Sequence, residues 1–474
     1  MRWVVFVLGL AMAALSLWQI EAKRPDALVV SSSVGATPVT RYTVPGGLGP
    51  VLVSHGFAGS RPLMQAITWT LAGNGYNVVT YDLEGHGLNP TPMSGDVDDI
   101  EGTTRLLVDE MIRVMEYTGD RPALVGHSMA TDILVRAAAE HPAGPIVAVS
   151  AFSGAVTADH PADLLLIAGA WEGRLIEFGR DAIHQIDPAA TEGQIVGDRM
   201  ALVAPRVEHV GILYSPYTLR EMVQWLDRAY GVPEREPELA TIGYWVLLLL
   251  AALMVLWWPL SRLLPARNSA AEVPRKALWW CAAVSLSTPL AVFWIELGFL
   301  PVLVADYLAL HLGFAGLFQL YVLRYFRVPF GRISWVAVAA LTVWGLAVFG
   351  LAIDRYAANF QPNAERALIL AALSLGAVPF MAADAIATQG GMAPLWRRMV
   401  LRGAFFASLI LAVAIDFEGL FFLILIAPII LLFFLIFGLM GRWTAARSGP
   451  LAPGIALGLI LAWSLGVTFP LFQA

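Results

Sequence analysis

Ser128 lies where a hydroxyl could act as a nucleophile. In Pro122-Ala-Leu-Val-Gly-His-Ser-Met-Ala-Thr131 a short apolar run, Ala123–Val125, reads as a buried strand. The pattern breaks at Gly126-His127-Ser128-Met129-Ala130 and resumes as a helix over Asp132–Glu140. Small residues two before and two after the serine let strand and helix approach closely enough for a sharp, strained turn, the nucleophile elbow. The hydroxyl then projects into a cleft, with a helix N-terminus behind it that favours developing negative charge. A serine is a weak nucleophile until a base takes its proton, and that base must be oriented by a third group. G-x-S-x-A alone also fits an ordinary strand end, so the surrounding elements decide what the serine does.

Those elements occupy residues 27–232. Ala27–Ser33 and Pro38–Val44 read as two strands joined by a turn at Gly35, and Pro50–Ser54 as a short buried strand ending in His55-Gly56-Phe57. A helix over 62–73 and a strand over Tyr76–Tyr81 lead into Asp82-Leu-Glu-Gly-His-Gly87. After a helix over 98–117 and the elbow come strands at Ile146–Ser150, Asp163–Ala168 and Met200–Val207, with helices at Arg174–Ile186 and Leu219–Tyr230. Short apolar strands alternating with helices imply a mostly parallel sheet covered on both faces.

The three motifs His55-Gly56-Phe57, Asp82-x-x-Gly-His-Gly87 and Gly126-His-Ser-Met129, in this order and each at a strand end, resemble the α/β-hydrolases, in particular their esterase, lipase and serine-peptidase branch. The resemblance covers nearly all of 27–232 and none of the rest. Ala130 and Thr131 depart from the glycines common after Ser-Met. The resemblance implies a chain order of serine, acid, histidine. It puts the acid at Glu172, in Gly169-Ala-Trp-Glu172 after the strand 163–168, with Asp159 and Asp163 as alternatives. It puts the base at His209, in Glu208-His-Val-Gly211 after the last strand. The backbone N–H groups of Phe57 and Met129 would then form the oxyanion hole. His127 and His86 are expected to pack and shape loops, His55 to shape the turn presenting the hole, and His141, His160 and His184 to lie at the surface. Only twelve residues separate Ser150 from Asp163, too few for the helical lid this family often inserts there. The cleft should be open, or roofed from elsewhere in the chain.

The composition describes more than a soluble enzyme. Of 474 residues 58% are hydrophobic and 14% charged, and the apolar excess is concentrated at 3–20 and beyond about 241. The run Trp3–Ile20, preceded by Arg2 and lacking a small-x-small pair at its end, is expected to be an uncleaved anchor over residues 1–22 rather than a signal peptide. Past a short polar linker at Arg235, Pro237 and Glu238, residues 240–474 contain eight apolar stretches, at 241–263, 277–297, 301–323, 334–353, 367–387, 400–416, 419–440 and 453–472. The expected fold class is therefore α/β, an α/β-hydrolase flanked by an N-terminal transmembrane anchor and a C-terminal all-α multi-span domain. Counted as nine spans, alternate loops collect Arg262, Arg267, Arg275, Lys276, Arg324, Arg327, Arg332, Arg397, Arg398, Arg402, Arg442 and Arg447, against Arg355 and Arg366 on the other side. The positive-inside rule then places the hydrolase on the extracytoplasmic side. Arginine bias and the lack of an Asn-x-Ser/Thr sequon in the exported segment point to a bacterial cytoplasmic membrane.

Ionisable residues within or at the rims of these stretches are Glu296, Asp306, His311, Asp384, Asp416 and Glu418. They either end spans and dock the soluble domain or shape a polar mouth for a lipid-derived substrate. The net charge of −6 comes with no basic stripe, so no nucleic-acid partner is expected. The single cysteine, Cys281, excludes an intrachain disulfide. No metal-ligand spacing and no nucleotide, flavin or haem motif is present, so no cofactor is expected. The expected partners are an ester or lipid-like substrate and membrane lipids. The expected activity is serine ester hydrolysis through an acyl-enzyme on Ser128. Acyl transfer or peptide cleavage by the same three residues remains an alternative, as does a transporter or receptor carrying an inactive hydrolase-like domain.

Overall fold

The computed structural model describes residues 1–94, 96, 99–267, 271–295 and 298–473. It opens with helix α1, Arg2–Glu21. Strands β1, Leu28–Val34, and β2, Thr37–Thr43, form a hairpin whose two-residue turn holds Gly35 at φ +59, a conformation glycine adopts without strain. There follow β3, Pro50–Ser54; α2, Gln65–Gly73; β4, Asn77–Tyr81; α3, Ile100–Thr118; β5, Ala123–His127; and α4, Met129–Glu140. The domain is completed by β6, Ile146–Val149; β7, Leu164–Gly169; α5, Gly173–His184; β8, Arg199–Ala204; and α6, Pro216–Ala229. Asp99 caps α3 by accepting from Gly102 N–H, and Ser215 caps α6 just ahead of Pro216.

The eight strands form one sheet in the order β1-β2-β4-β3-β5-β6-β7-β8, antiparallel at β1 and β2 and parallel from β4 onward. Every residue of β5, β6 and β7 is buried, as continuous apolar runs covered on both faces must be. One face packs Leu124, Ala148 and Leu166 against Met111 of α3, Leu134 of α4 and Ile183 of α5. The other packs Val53, Val125 and Ile167 against Ile67 of α2 and Met222 of α6.

The remainder is a helix bundle: α7, Gly243–Ser261; α8, Arg275–Val292; α9, Ala305–Tyr325; α10, Trp335–Val343, continuing through a π-helical stretch into α11, Gly350–Tyr356; α12, Ala367–Ala387; α13, Leu395–Ile415; the short α14, Phe417–Leu420; α15, Leu423–Ser448; and α16, Leu451–Thr468. Among the described residues eight helical segments, α1 included, are long and apolar enough to cross a membrane. The ninth expected stretch, 277–297, folds as α8, whose composition keeps it below that threshold. Arg275 and Lys276 occupy its first turn, and Ser285, Ser287 and Thr288 dilute its second half. It nonetheless runs the length of the bundle. Val273, before it, accepts from Arg397 at one end, whereas Leu300 and Pro301, after it, meet Asp306 and Phe472 at the other.

That second end carries the sheet domain. The buried Arg366 donates to the carbonyls of Gly466 and Phe469 and, across the junction, to that of Gly85. Asn359 N–H donates to Ser60 Oγ at 2.8 Å, and Met93 exchanges backbone hydrogen bonds with Leu471 and Gln473. The segment after α6, expected to be a plain polar linker, is docked. Arg235 pairs with Asp227, and Ala240 N–H donates to Thr70 Oγ1. Asp306 and Asp416 lie at this end, accepting from the N–H groups of Leu300 and Gly419. Asp384 instead lies toward the opposite end, paired with Arg402, and His311 is buried between Tyr307 and Ser408. Glu296 falls outside the described residues.

Candidate active site

The β5–α4 turn is as tight as its sequence implies. Ser128 sits at φ 54, ψ −122, a region that costs a non-glycine residue about 1–3 kcal/mol and persists only where packing over-determines it. The surrounding residues supply that constraint. A Cβ on Gly126 would come within 2.2 Å of Leu134 Cδ2, so glycine here lets Leu134 of α4 pack directly against the end of β5. Ser128 N–H donates to Val149 O of the neighbouring strand, and Thr131 Oγ1 donates to Ser128 O.

Three side chains from three loops meet there. Ser128 Oγ lies 2.9 Å from His209 Nε2, and His209 Nδ1 lies 2.5 Å from Glu172 Oε1. A carboxylate only accepts, so Nδ1 carries the proton and Nε2 is free to accept from the serine hydroxyl. Glu172 follows β7 and its side chain is 6% exposed. Its second oxygen accepts from Ser150 Oγ at 2.8 Å and from Gly169 N–H at 2.6 Å. Burial alone would raise the Glu172 pKa, but the hydrogen bonds from His209, Gly169 and Ser150 outweigh it and hold the carboxyl below its ordinary range, hence ionised. Asp159 is exposed and Asp163 faces Arg228 at 3.9 Å, so neither alternative acid reaches His209.

His209 is held from behind. Glu208 accepts from the N–H groups of Val210 and Gly211, closing the turn after β8, and His127 Nε2–H donates to His209 O at 2.8 Å. Burial and the adjacent His209 push the His127 pKa down to about 4, so this donor is neutral at ordinary pH. His127 and Ser150 were not among the candidates read from the sequence for the acid–base set. Ser150 directly follows β6, at φ 52, beside the strand that delivers Glu172.

Phe57 and Met129 bring two N–H groups to the mouth of the turn, and neither has a hydrogen-bond partner among the described residues. A Cβ on Gly56 would lie 2.8 Å from His127 O and 2.9 Å from Ser128 Cβ, so the glycine is what seats the Phe57 loop against the nucleophile. His55 holds that loop, with Nδ1–H donating to Gly56 O and Nε2 accepting from Leu83 N–H. The Asp82–Gly87 motif is scaffold. Asp82 accepts from Arg61 and from Leu88 N–H, and a Cβ on Gly87 would strike its carboxylate. His160 and His184, expected at the surface, are half-buried and donate to the carbonyls of Val135 and Ala190.

The segment 151–162 forms no lid, and the roof comes from the helix bundle. The Phe57 ring lies 5.5 Å from Phe422 and 6.4 Å from Phe472, and Phe57 and Met129 pack in one cluster with Phe472 and Leu303. The donor side of the site is thus lined by apolar side chains from beyond residue 300.

Residues 48–186 match the family model described as serine aminopeptidase, S33, a stretch holding Phe57, Ser128, Met129 and Glu172 and ending before His209. No curated protein matches the sequence. Among solved structures, a dienelactone hydrolase from Anabaena variabilis is 19% identical, with 45% of this chain and all of that one covered at a TM-score of 0.34. A structure from work on carboxylesterases of Nitrososphaera gargenis is 12% identical, covering 43% of this chain and 99% of that one at a TM-score of 0.32.

Proposed function

We propose that this chain, whose sheet domain belongs to the α/β-hydrolase superfamily, is a membrane-anchored serine hydrolase that cleaves carboxylic esters of lipid-derived or other amphiphilic molecules. The reading is carried by one observation, the continuous line from Glu172 through His209 to Ser128 at hydrogen-bond distances beside two unpartnered N–H groups. Ser128 Oγ attacks the ester carbonyl as His209 Nε2 takes its proton. The carbonyl oxygen becomes an oxyanion against Phe57 and Met129 N–H, donors better matched to the tetrahedral intermediate than to the ground state. The C–O bond breaks as His209 returns the proton to the departing alcohol. Water, deprotonated by His209, then attacks the acyl-enzyme and releases the acid. The apolar roof of Phe422, Phe472 and Leu303 favours an acyl chain over a charged substituent.

In this reading residues 1–22 anchor the chain, 27–232 are the catalytic domain and 240–474 the membrane domain. The end of the bundle away from the sheet domain carries nearly all its basic residues, which by the positive-inside rule supports catalysis on the extracytoplasmic face.

The test is labelling of the full-length protein with a fluorophosphonate, with the modified residue located by mass spectrometry, followed by product analysis on a long-chain ester. Modification at Ser128 and release of free acid support the proposal. Acyl transfer to an added acceptor, or cleavage of a peptide in preference to the ester, would replace it. Absence of labelling at Ser128 would overturn it.

Asp306 accepts from Leu300 N–H and so fixes the 298–304 loop that brings Leu303 to the roof. Asp306→Ala is therefore expected to slow turnover of a long-chain ester by up to about a hundredfold. A short soluble ester should turn over at the unchanged rate. Equal rates on both substrates would separate this loop from substrate handling.

A further inference from the structure

At the end of the bundle away from Ser128, a slot of about 320 Å³ lies between α13 and α15. The residues lining it fall on one face of each helix, from Leu395 to Phe406 on α13 and from Arg442 back to Leu431 on α15. Twelve residues of helix on each side, eleven rises of about 1.5 Å, make the slot about 16 Å deep. That is close to half of the roughly 30 Å hydrocarbon thickness of a bilayer, the depth of one leaflet.

The two ends differ in chemistry. Arg398, Arg402 and Arg442 gather at the loop end, and Phe406, Phe434 and Leu431 line the deeper part. Arg402 is satisfied, bonding Asp384 through both its Nε and Nη2 with its guanidinium 4.3 Å over the Phe434 ring. Arg398 and Arg442 form no ion pair among the described residues, and Arg398 Nε is shielded from solvent with no hydrogen-bond partner. Two guanidiniums without an ion pair of their own thus sit at headgroup depth above an apolar channel, the nearby Asp384 carboxylate being held by Arg402. The channel opens sideways, with Met399 64% and Leu435 66% exposed. Glycines keep it clear. A Cβ on Gly403 would meet nothing within 4 Å, and one on Gly438 only the tip of Arg402 at 3.8 Å.

We propose that this slot binds one anionic phospholipid of the leaflet away from the hydrolase domain, its phosphate on Arg398 and Arg442 and an acyl chain between α13 and α15. Charge selects the headgroup, since a guanidinium fork matches phosphate oxygens, and the matched depth selects a lipid over a soluble anion. The bound lipid is not the substrate, because the slot lies at the opposite end of the bundle from Ser128. It would lie beside the contacts that already join the two helices, Phe406 against Phe434 and Arg402 over the Phe434 ring.

The test is native mass spectrometry of the intact chain, titrated in parallel with phosphatidylglycerol, with phosphatidylcholine of the same acyl chains and with inorganic phosphate. The expected result is a preference for phosphatidylglycerol over phosphatidylcholine of about thirtyfold. That preference should vanish in the double variant Arg398→Gln, Arg442→Gln and survive in Arg327→Gln, Arg332→Gln, which removes charge at the same end but off the slot. Gly403→Trp should exclude both lipids from the slot while leaving hydrolysis of a short soluble ester at the wild-type rate. A preference unchanged in the first double variant, equal retention of both lipids, competition by inorganic phosphate alone, or a slot closed by a second copy of the chain would each overturn the proposal.

Discussion

Alanine at Ser128 is expected to lower kcat for ester hydrolysis by about a millionfold, and alanine at His209 to do nearly the same, with the double variant scarcely worse than either. The equality follows from the geometry. Ser128 Oγ and His209 Nε2 share one proton across 2.9 Å, so each is idle without the other. Neither substitution disturbs the Phe57 and Met129 N–H groups, which belong to the 55–57 loop and the start of α4. A residual acceleration of about 10³–10⁴ over water should therefore persist in every variant. The measurement is kcat on a soluble chromogenic ester, using the full chain, with melting temperature as the control for folding. Ser128→Ala should melt no lower than the parent, because the hydroxyl has no role in the core and the turn is held by Gly126 and Leu134. A Ser128→Ala enzyme retaining its parent's rate would remove the nucleophile from the mechanism, whatever the other two residues do.

The site was legible in the sequence where chemistry and local structure coincide. The elbow needs small residues at fixed offsets from a serine between a strand and a helix, and all of that lies within ten residues. Glu172 and His209 were reachable through the resemblance to the α/β-hydrolases, which implies an acid and then a histidine after later strands. What holds them was not. Ser150 read as a strand end and His127 as a packing and loop-shaping residue, and their roles exist only once parallel strands set β6 beside β7 and bring the loop after β8 over the end of β5. The roof was the least legible part. The short 151–162 segment implied that a cover, if any, must come from elsewhere, but nothing near Phe422 or Phe472 distinguishes them from the other aromatics of an apolar helix bundle. Gly85 illustrates the limit. It belongs to a motif recognisable in sequence, yet its missing side chain is explained by Leu471 O, which a Cβ would approach to 2.5 Å from almost four hundred residues away. The 277–297 stretch is a related case, since α8 runs the length of the bundle although its second half carries Ser285 and Thr288, both buried against neighbours. Ser285, for example, is satisfied by Gln319 of α9.

Glu172→Gln is the substitution that best separates orientation from bulk, and it is expected to lower kcat by about 10⁴-fold. The side chain keeps its length and shape but exchanges one acceptor for a donor. In the parent, Oε1 accepts from His209, and Oε2 accepts from both Ser150 Oγ and Gly169 N–H. A glutamine that keeps its oxygen toward His209 must point its NH₂ at Gly169 N–H, two donors at a separation where the parent has a bond of 2.6 Å. Relief comes from the flipped amide, whose oxygen takes the Gly169 and Ser150 bonds and whose NH₂ faces His209 Nδ1. That nitrogen must then accept, so the proton moves to Nε2, and His209 can no longer take one from Ser128. The ionised carboxylate that would have stabilised the imidazolium is lost as well. Ser150→Ala removes one donor to Oε2 and leaves Gly169, so its effect should be about tenfold, the lower end for a hydrogen bond to a charged group. Glu172→Asp keeps the charge but falls one methylene short of His209, and should lie between the two. If Glu172→Gln turned over the soluble ester within about tenfold of the parent while Ser128→Ala did not, the histidine would be oriented by something other than this carboxylate. His127 at its backbone carbonyl would be the next residue to vary.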